Sequence, residues 1–397
     1  MKIKKRLLTF KRSKFVKRII KLLFIIMSLF PNRKKTIVFE SFHGKQFSDN
    51  PKALYQYIAM NYPSYKLYWS FDKRYQDNFK HEKLKKLPRF GMKWILVMAR
   101  AEYWISNSRL PLWIPKPRGT IYVQTWHGTP LKKLGNDIKE VHMPGTDTIK
   151  YKKNFTKEAE KWDYLVSPNS YSTEIFKRAF DFKKTVLESG YPRNDVLIND
   201  NNKKVVDAIK RNLNIPLDKK VILYAPTWRD NNFYGKGKYK FDIKLDLTKL
   251  KKELKDDYVL VLRMHYLVSE DFDLPKHKDF VYDFSNYNDI NHLYLISDVL
   301  ITDYSSVFFD FANLRKPILF FTYDIENYRD ELRGFYFNIE DTAPGPHLKT
   351  NEEIITYLKL IKSGHYELPE GFESFYEKFC YLEDGKASKR IAESIIS

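Results

Sequence analysis

Cysteine is almost missing: Cys380 is the single one in 397 residues. That excludes a disulfide framework and fits a reducing compartment. Nothing around Cys380 resembles a metal site. No GxGxxG, no Walker loop and no HExxH occurs, so the common dinucleotide, P-loop and zinc-protease signatures do not apply. No acidic metal cluster of the DxD type stands out either: Asp303 and the acids of "DFD" (271–273) are isolated by comparison. There is no internal repeat and no low-complexity segment. The first 35 residues contain no acid, but thirteen Lys and Arg. They also lack a hydrophobic run long enough to cross about 30 Å of hydrocarbon: Ile19 to Phe30 is short and broken by Lys21. No small-residue cleavage site follows, which argues against a signal peptide.

What remains of that N-terminal stretch is Leu, Ile and Phe among Lys and Arg. It reads as a basic amphipathic helix lying on an anionic membrane face, where each basic residue adds about 1 kcal/mol. A solvated tail leading into a core helix is the plainer alternative. Nucleic-acid binding is disfavoured by the apolar run and by the lack of any nucleic-acid motif. The total formal charge is +21, so the body beyond residue 35 is only moderately basic. With 43% hydrophobic and 16% aromatic residues, the chain is globular and long enough for about two domains.

Strand-like and helix-like runs alternate along the body. "KTIVFES" (35–41), "YKLYWSF" (65–71), "GTIYVQTWH" (119–127) and "WDYLVSPN" (162–169) read as strands. "SYSTEIFKRAF" (170–180) reads as a helix, and Asp49 or Asn50 with Pro51 as the start of another. A polar seam, "NDNNKK" (199–204), precedes a second series. Its strands are "KVILYAPTWRD" (220–230), "YVLVLRMH" (258–265), "FVYDFSNY" (280–287), "DVLITDYSS" (298–306) and "PILFFTYD" (317–324). Their near-continuous apolar character is that of strands covered on both faces. The expectation is an α/β chain of two Rossmann-like, doubly wound domains with an interdomain cleft. The segments are 1–34 for membrane association, 35–200 for the N-terminal domain and 201–397 for the C-terminal one.

Polar clusters then recur where strands end: "HGTP", "SPNS", "GYPRND", "PTWRD", "RMH" and "TDYSS". One such cluster is ordinary turn chemistry. Six in one chain point to a ligand rim. Arg193, Arg229 and Arg263 suit bidentate anion contacts. Ser305 and Ser306 precede a helix, whose N-terminal amides favour phosphate. Asp310 lies one turn on and could take hydroxyl hydrogens, or it could simply be a first-turn acid. His127 and His265 titrate near neutrality and are the candidates for proton transfer. A strand-end histidine alone is usually structural.

Together "QTWHGTPLKKLG", "SPNSYSTEIF", "GYPRND", "YAPTWRD", "LRMHY" and "TDYSSVFFDF" resemble the CDP-glycerol glycerophosphotransferases of wall teichoic acid synthesis. The resemblance runs in order from about Phe39 to "FCYLEDGKAS". It is greatest, through "FESFHGKQFSDNPKALY", to the short staphylococcal-type members. It implies a GT-B fold with the C-terminal domain binding CDP-glycerol and the N-terminal domain the acceptor. His127, Gly128, Thr129, Pro130 and Leu131 would border the transferring phosphate and the acceptor. Arg193 would hold a phosphate oxygen, and Pro226 and Thr227 would line the nucleotide pocket. Arg263, Met264 and His265 would meet the pyrophosphate. Ser305, Ser306 and Asp310 would bind donor phosphate and glycerol.

The implied reaction adds glycerol phosphate to a glycerol-phosphate-primed, undecaprenyl-diphosphate-linked disaccharide and releases CMP. No metal and no cofactor is required. The expected partners are CDP-glycerol, the lipid-linked teichoic acid primer, an anionic membrane surface and other wall teichoic acid enzymes, with no nucleic acid. The expected location is the cytoplasmic side of the cell membrane, peripherally bound. Three alternatives stand beside this: a CDP-ribitol donor, a poly(glycerol phosphate) product, or a non-catalytic membrane-binding protein. Which histidine is the base is open at this level.

Overall fold

The computed structural model describes residues 14–141, 147–227, 233–235, 238–239, 243–264, 274–328 and 334–396. They divide into two units. The first takes the described residues of Met1–His127, Thr146–Arg193 and Lys386–Ser397, and the second those of Gly128–Gly145 and Asn194–Gly385. This division differs from a break at residue 200: 128–141, with Gly128 to Leu131, and 194–199 go with the second unit, and 386–396 return to the first.

The first unit opens with helix α1 (Lys14–Ser28). It continues through β1 (Arg33–Glu40), α2 (Asp49–Asn61), β2 (Lys66–Phe71), β3 (Lys86–Pro88), α3 (Met92–Met98), β4 (Ala101–Ser106), β5 (Ile121–Gln124), α4 (Thr148–Ala159), β6 (Tyr164–Ser167), α5 (Ser170–Ala179) and β7 (Thr185–Glu188). Its strands are ordered β3-β2-β1-β4-β5-β6-β7, and every pair is parallel. That is the doubly wound order, with its reversal point between β1 and β4.

The second unit holds α6 (Lys203–Asn212), β8 (Lys220–Tyr224), β9 (Phe233–Gly235), β10 (Lys238–Tyr239), α7 (Leu247–Leu254), β11 (Tyr258–Leu262), β12 (Val281–Asp283), α8 (Ile290–Ile296), β13 (Val299–Thr302), α9 (Val307–Phe311), β14 (Ile318–Phe321), β15 (His347–Leu348), α10 (Asn351–Ser363) and α11 (Gly371–Phe379). The order β12-β11-β8-β13-β14-β15 repeats the same winding, again all parallel. Its reversal point lies between β8 and β13. Strands β11, β13 and β14 are buried throughout, as their unbroken apolar runs require.

The last described helix, α12 (Ala387–Ile395), belongs to the first unit. Ile391, Ala392 and Ile395 join Ile37, Phe39, Leu54, Ile58 and Trp69 in one core, and the Arg390 guanidinium donates to the Ser189 carbonyl at 2.7 Å.

Several strands stop short of their apolar runs. β5 ends at Gln124 rather than His127 because Trp126 turns left-handed at φ +52°, which no strand accommodates. The start of α2 also differs from expectation. The N-cap is Ser48, not Asp49 or Asn50, because the Asn50 side chain is engaged across the sheet, as described below.

Helix α1 docks through Phe24, which is buried between Trp94 and Trp104 with both ring centroids 6.1 Å away. Its outer side leaves Phe15, Ile19, Leu22 and Ile26 exposed beside exposed Lys17, Arg18 and Lys21. Among the described residues no helix is long and apolar enough to cross a membrane.

Candidate active site

In the first unit the strand ends carry a stitched set of polar groups. His127 follows β5, and its Nδ1 lies 2.7 Å from the Asn107 carbonyl. A carbonyl can only accept, so Nδ1 carries the hydrogen and Nε2 carries the lone pair of the neutral ring. One face stacks on Trp126 at 4.4 Å, and Phe42 meets the ring edge-on at 5.9 Å. Desolvation holds its pKa below the ordinary 6.5; Asp49 and the Asn107 carbonyl pull it back up, while Arg193 and Arg109 lower it. The residue is nevertheless exposed, so the imidazole meets solvent as a neutral acceptor near pH 7.

Trp126 sets where that ring stands. Its left-handed backbone is strained for a bulky residue, and two side chains hold it. The Gln124 carbonyl oxygen Oε1 accepts from its N–H at 3.0 Å. The Asn50 amide donates to its carbonyl at 3.2 Å and to that of Thr125 at 3.3 Å. Asn50 also accepts from the Arg193 N–H at 3.1 Å. The Arg193 guanidinium, 8% exposed, is 2.9 Å from the Asp49 carboxylate and stacks on Tyr191. Arg193 therefore makes a buried ion pair within the first unit.

At the reversal point of the first sheet, β1 runs into Phe42, His43 and Gly44, whose φ values are +45°, +59° and +78°. Three consecutive left-handed residues are rare, and only glycine takes that conformation freely. The turn is fixed from β4: Asn107 Oδ1 accepts from Phe42 N–H at 2.8 Å, and Ser108 Oγ from His43 N–H at 3.0 Å. From the other side Arg89 donates to the His43 carbonyl at 2.7 Å and pairs with Glu40 at 3.1 Å. Burial raises the Glu40 pKa against the pull of Arg89 and Ser70. "FHGK" and "SNSR" each follow a strand as "HGTP" does, a signal in the sequence that marks them as strand-exit clusters too.

In the second unit the reversal point collects "PTW" and "TDYSS". Asp303, buried, accepts from the Thr227 N–H at 2.7 Å, and Thr302 Oγ1 donates to the Ala225 carbonyl at 2.8 Å. Pro226 and Thr227 are buried at the exit of β8. Ser306 caps α9 by position but makes no side-chain cap bond. Gly128 lies against it: a Cβ on Gly128 would stand 3.0 Å from Ser306 Oγ. Thr129, Pro130 and Leu131 are buried beyond it. That loop is tied to 334–336 by Tyr336 N–H to the Leu131 carbonyl at 2.9 Å, and by the Tyr336 hydroxyl to Asp137 at 2.7 Å.

Asp310 lies in the first turn of α9 and is buried at 5% exposure. The Asn194 amide bridges it to Glu383, at 3.1 Å to each carboxylate. Arg263 donates to the Phe284 carbonyl at 3.0 Å, and Met264 N–H to Ser285 Oγ at 3.0 Å. His265 and Arg229 lie outside the described residues. Among the described residues no group of three or more His, Cys, Asp or Glu could hold a metal ion.

The family model described as CDP-Glycerol:Poly(glycerophosphate) glycerophosphotransferase matches residues 22–397. The chain is 59% identical over 394 residues to a teichoic acid poly(glycerol phosphate) polymerase of Bacillus subtilis (strain 168), covering 99% of this chain and 52% of that protein. It thus spans about half the length of that relative. It is 50% identical over 374 residues to a teichoic acid glycerol-phosphate transferase of Staphylococcus aureus (strain NCTC 8325 / PS 47), covering 94% and 95% of the two chains. A solved structure of the wall teichoic acid polymerase TagF, soaked with CDPG, superposes with a TM-score of 0.89 at 46% identity, covering 96% of this chain and 93% of that one. With a match this long, the chain belongs to the CDP-glycerol:poly(glycerophosphate) glycerophosphotransferase family.

Proposed function

We propose that this protein transfers glycerol phosphate from CDP-glycerol to a hydroxyl of a lipid-linked, glycerol-phosphate-primed teichoic acid acceptor and releases CMP. The observation that carries the reading is His127. It is a neutral imidazole with Nδ1 committed to the Asn107 carbonyl and Nε2 available as acceptor.

In this reading Nε2 takes the proton of the attacking hydroxyl. The new P–O bond forms at the β-phosphorus as the bond to CMP breaks. Phosphoryl transfer of this kind depends on positioning and on stabilising the phosphoryl oxygens. Gly128 to Leu131 border the transferring group. Ser305, Ser306 and Asp310 receive donor phosphate and glycerol, while Pro226 and Thr227 line the nucleotide pocket. Arg263, Met264 and His265 serve the phosphates, Arg193 would hold a phosphate oxygen on giving up its Asp49 pair, and His265 with Arg263 assists the leaving CMP. Support comes from the family match and from the way strand exits gather the described members of this set within each unit. The GT-B-like assignment, with an acceptor domain over 35–200 and a donor domain over 201–397, rests on the resemblance and on the twice-repeated strand order. The N-terminal segment 1–34 would hold the enzyme at the anionic inner face of the membrane, where other wall teichoic acid enzymes act on the same lipid. The outward apolar side chains of α1 flanked by Lys17, Arg18 and Lys21 support that placement.

A second reading, a poly(glycerol phosphate) polymerase, is favoured by the higher identity to relatives bearing that name. One experiment tests both. The protein is incubated with primed lipid acceptor and either CDP-glycerol or CDP-ribitol, and CMP release and product mass are followed. A mass gain of one glycerol phosphate supports the transferase, and a ladder supports the polymerase. CMP release only with CDP-ribitol overturns the donor assignment. No release with any donor overturns the enzyme reading. His127→Ala should lower turnover by about 10²-fold or more.

A further inference from the structure

The mechanism above leaves one group of residues at the first sheet's reversal point without a task. His43 stands there in the middle of a left-handed turn. Left-handed backbone at a non-glycine residue persists only where surrounding contacts impose it, and such strain gathers at functional sites. Here Asn107, Ser108 and Arg89 impose it through three hydrogen bonds to the backbone of residues 42 and 43. All of this binding is to the main chain. The ring nitrogens of His43 have no hydrogen-bond partner among the described residues, and the residue is exposed. Doubly wound sheets bind ligands outside the strand ends at the reversal point.

The charge around the ring is of one sign. Arg89, Lys45, His127 and Arg109 all act on His43 in the direction of a positive field. Arg89 is offset by Glu40. Arg109 stacks over Phe155 at 4.2 Å and makes no direct ion pair among the described residues, so the Glu158 carboxylate, which feels its charge, offsets it only at longer range. Phe42, the neighbour of His43, packs against the His127 ring. An exposed imidazole among basic groups, next to a proton acceptor, suits an anionic group carried by the molecule whose hydroxyl is deprotonated.

We propose that His43, with Arg109, binds a phosphate of the acceptor's glycerol phosphate primer and so presents the acceptor hydroxyl to His127. His43 gives an N–H to a phosphate oxygen, and Arg109 supplies charge. The inference rests on the transferase reading and names the acceptor subsite within it.

The test uses the full chain and two readouts. His43→Asn keeps a residue that tolerates positive φ, so the turn survives while the imidazole is lost. The expected result is a KM for primed acceptor raised about tenfold, the cost of one hydrogen bond to a charged group. The KM for CDP-glycerol should stay within about twofold. Equal acceptor KM values, or a rise in the donor KM instead, overturn the proposal. The second readout needs no turnover. The His43 resonance, assigned by its loss in His43→Asn, is titrated by NMR with and without glycerol 3-phosphate. A bound phosphate must raise the His43 pKa from about 4, and Arg109→Gln should weaken that response. A pKa unmoved by saturating glycerol 3-phosphate sinks the subsite even in an active enzyme. Absence of CMP release from wild type sinks the transferase reading while the NMR arm still reports on the anion site.

Discussion

The Asn107 carbonyl oxygen lies 2.7 Å from His127 Nδ1, and the side chain of the same asparagine accepts from the Phe42 N–H at 2.8 Å. One residue after β4 therefore fixes both the tautomer of His127 and the entry to the left-handed turn. This arrangement makes His127 a preset acceptor.

The pH profile should reflect it. Desolvation keeps the His127 pKa below 6.5, so the neutral, proton-accepting form persists below that pH. The acid limb of kcat/KM for acceptor should therefore have its apparent pKa under 6.5. A limb at or above 6.5, measured by CMP release across pH 5–8, contradicts His127 as the base.

Asn50 should prove a positioning residue. Its amide and carbonyl groups join the strained Trp126 backbone to the Arg193 N–H. Asn50→Ala leaves these buried groups unsatisfied and should cost about 1–3 kcal/mol in urea unfolding. Turnover should fall while the KM for CDP-glycerol holds. Asn50→Asp keeps the acceptor for Arg193 and should restore only that half.

His43 also predicts a stability change with pH. Its folded pKa of about 4 lies below the unfolded value near 6.5. Between those values the unfolded chain binds a proton that the folded one does not. Stability should therefore fall as pH drops from about 6.5 to 4, and His43→Asn should flatten that slope in urea titrations.

Gly44 should not accept a side chain. With φ +78°, a Cβ there would lie 2.8 Å from the Asp72 backbone nitrogen and 3.0 Å from the Phe71 Cα. Gly44→Ala should lose about 1–3 kcal/mol of stability. An unchanged urea midpoint would show that the turn relaxes freely.

The outer side of α1 should decide vesicle binding. Replacing Ile19, Leu22 and Ile26 by Glu leaves buried Phe24 in place and should preserve the thermal midpoint. It should abolish sedimentation with phosphatidylglycerol vesicles. Wild-type binding should weaken with salt as surface charges are screened. Full vesicle binding by the triple variant would rule α1 out as the membrane contact.

Much of this was legible in the sequence. Unbroken apolar runs such as "YVLVL" and "DVLIT" mark buried parallel strands, and the polar residues after them mark strand exits. The harder part is tertiary. Nothing in "ESFHGKQ" announces three left-handed residues, because Asn107 and Ser108 impose them from more than sixty positions away. Asp49 and Asn50 have the chemistry of helix caps, yet Arg193 and the Trp126 carbonyl compete for their side chains and win. The short strand "KLP" (86–88) has too little apolar periodicity to stand out.

The membership of α12 in the first unit has a consequence for biosynthesis. Ile391, Ala392, Ile395 and Ile396 close a core whose other members precede residue 192. At a synthesis rate of 5–20 residues per second, about 200 residues separate β7 from α12, or roughly 10–40 s. Throughout that interval the nascent first unit has an open apolar face. Its completion waits for the second unit to be made, so the later part of the chain governs when the earlier part becomes native.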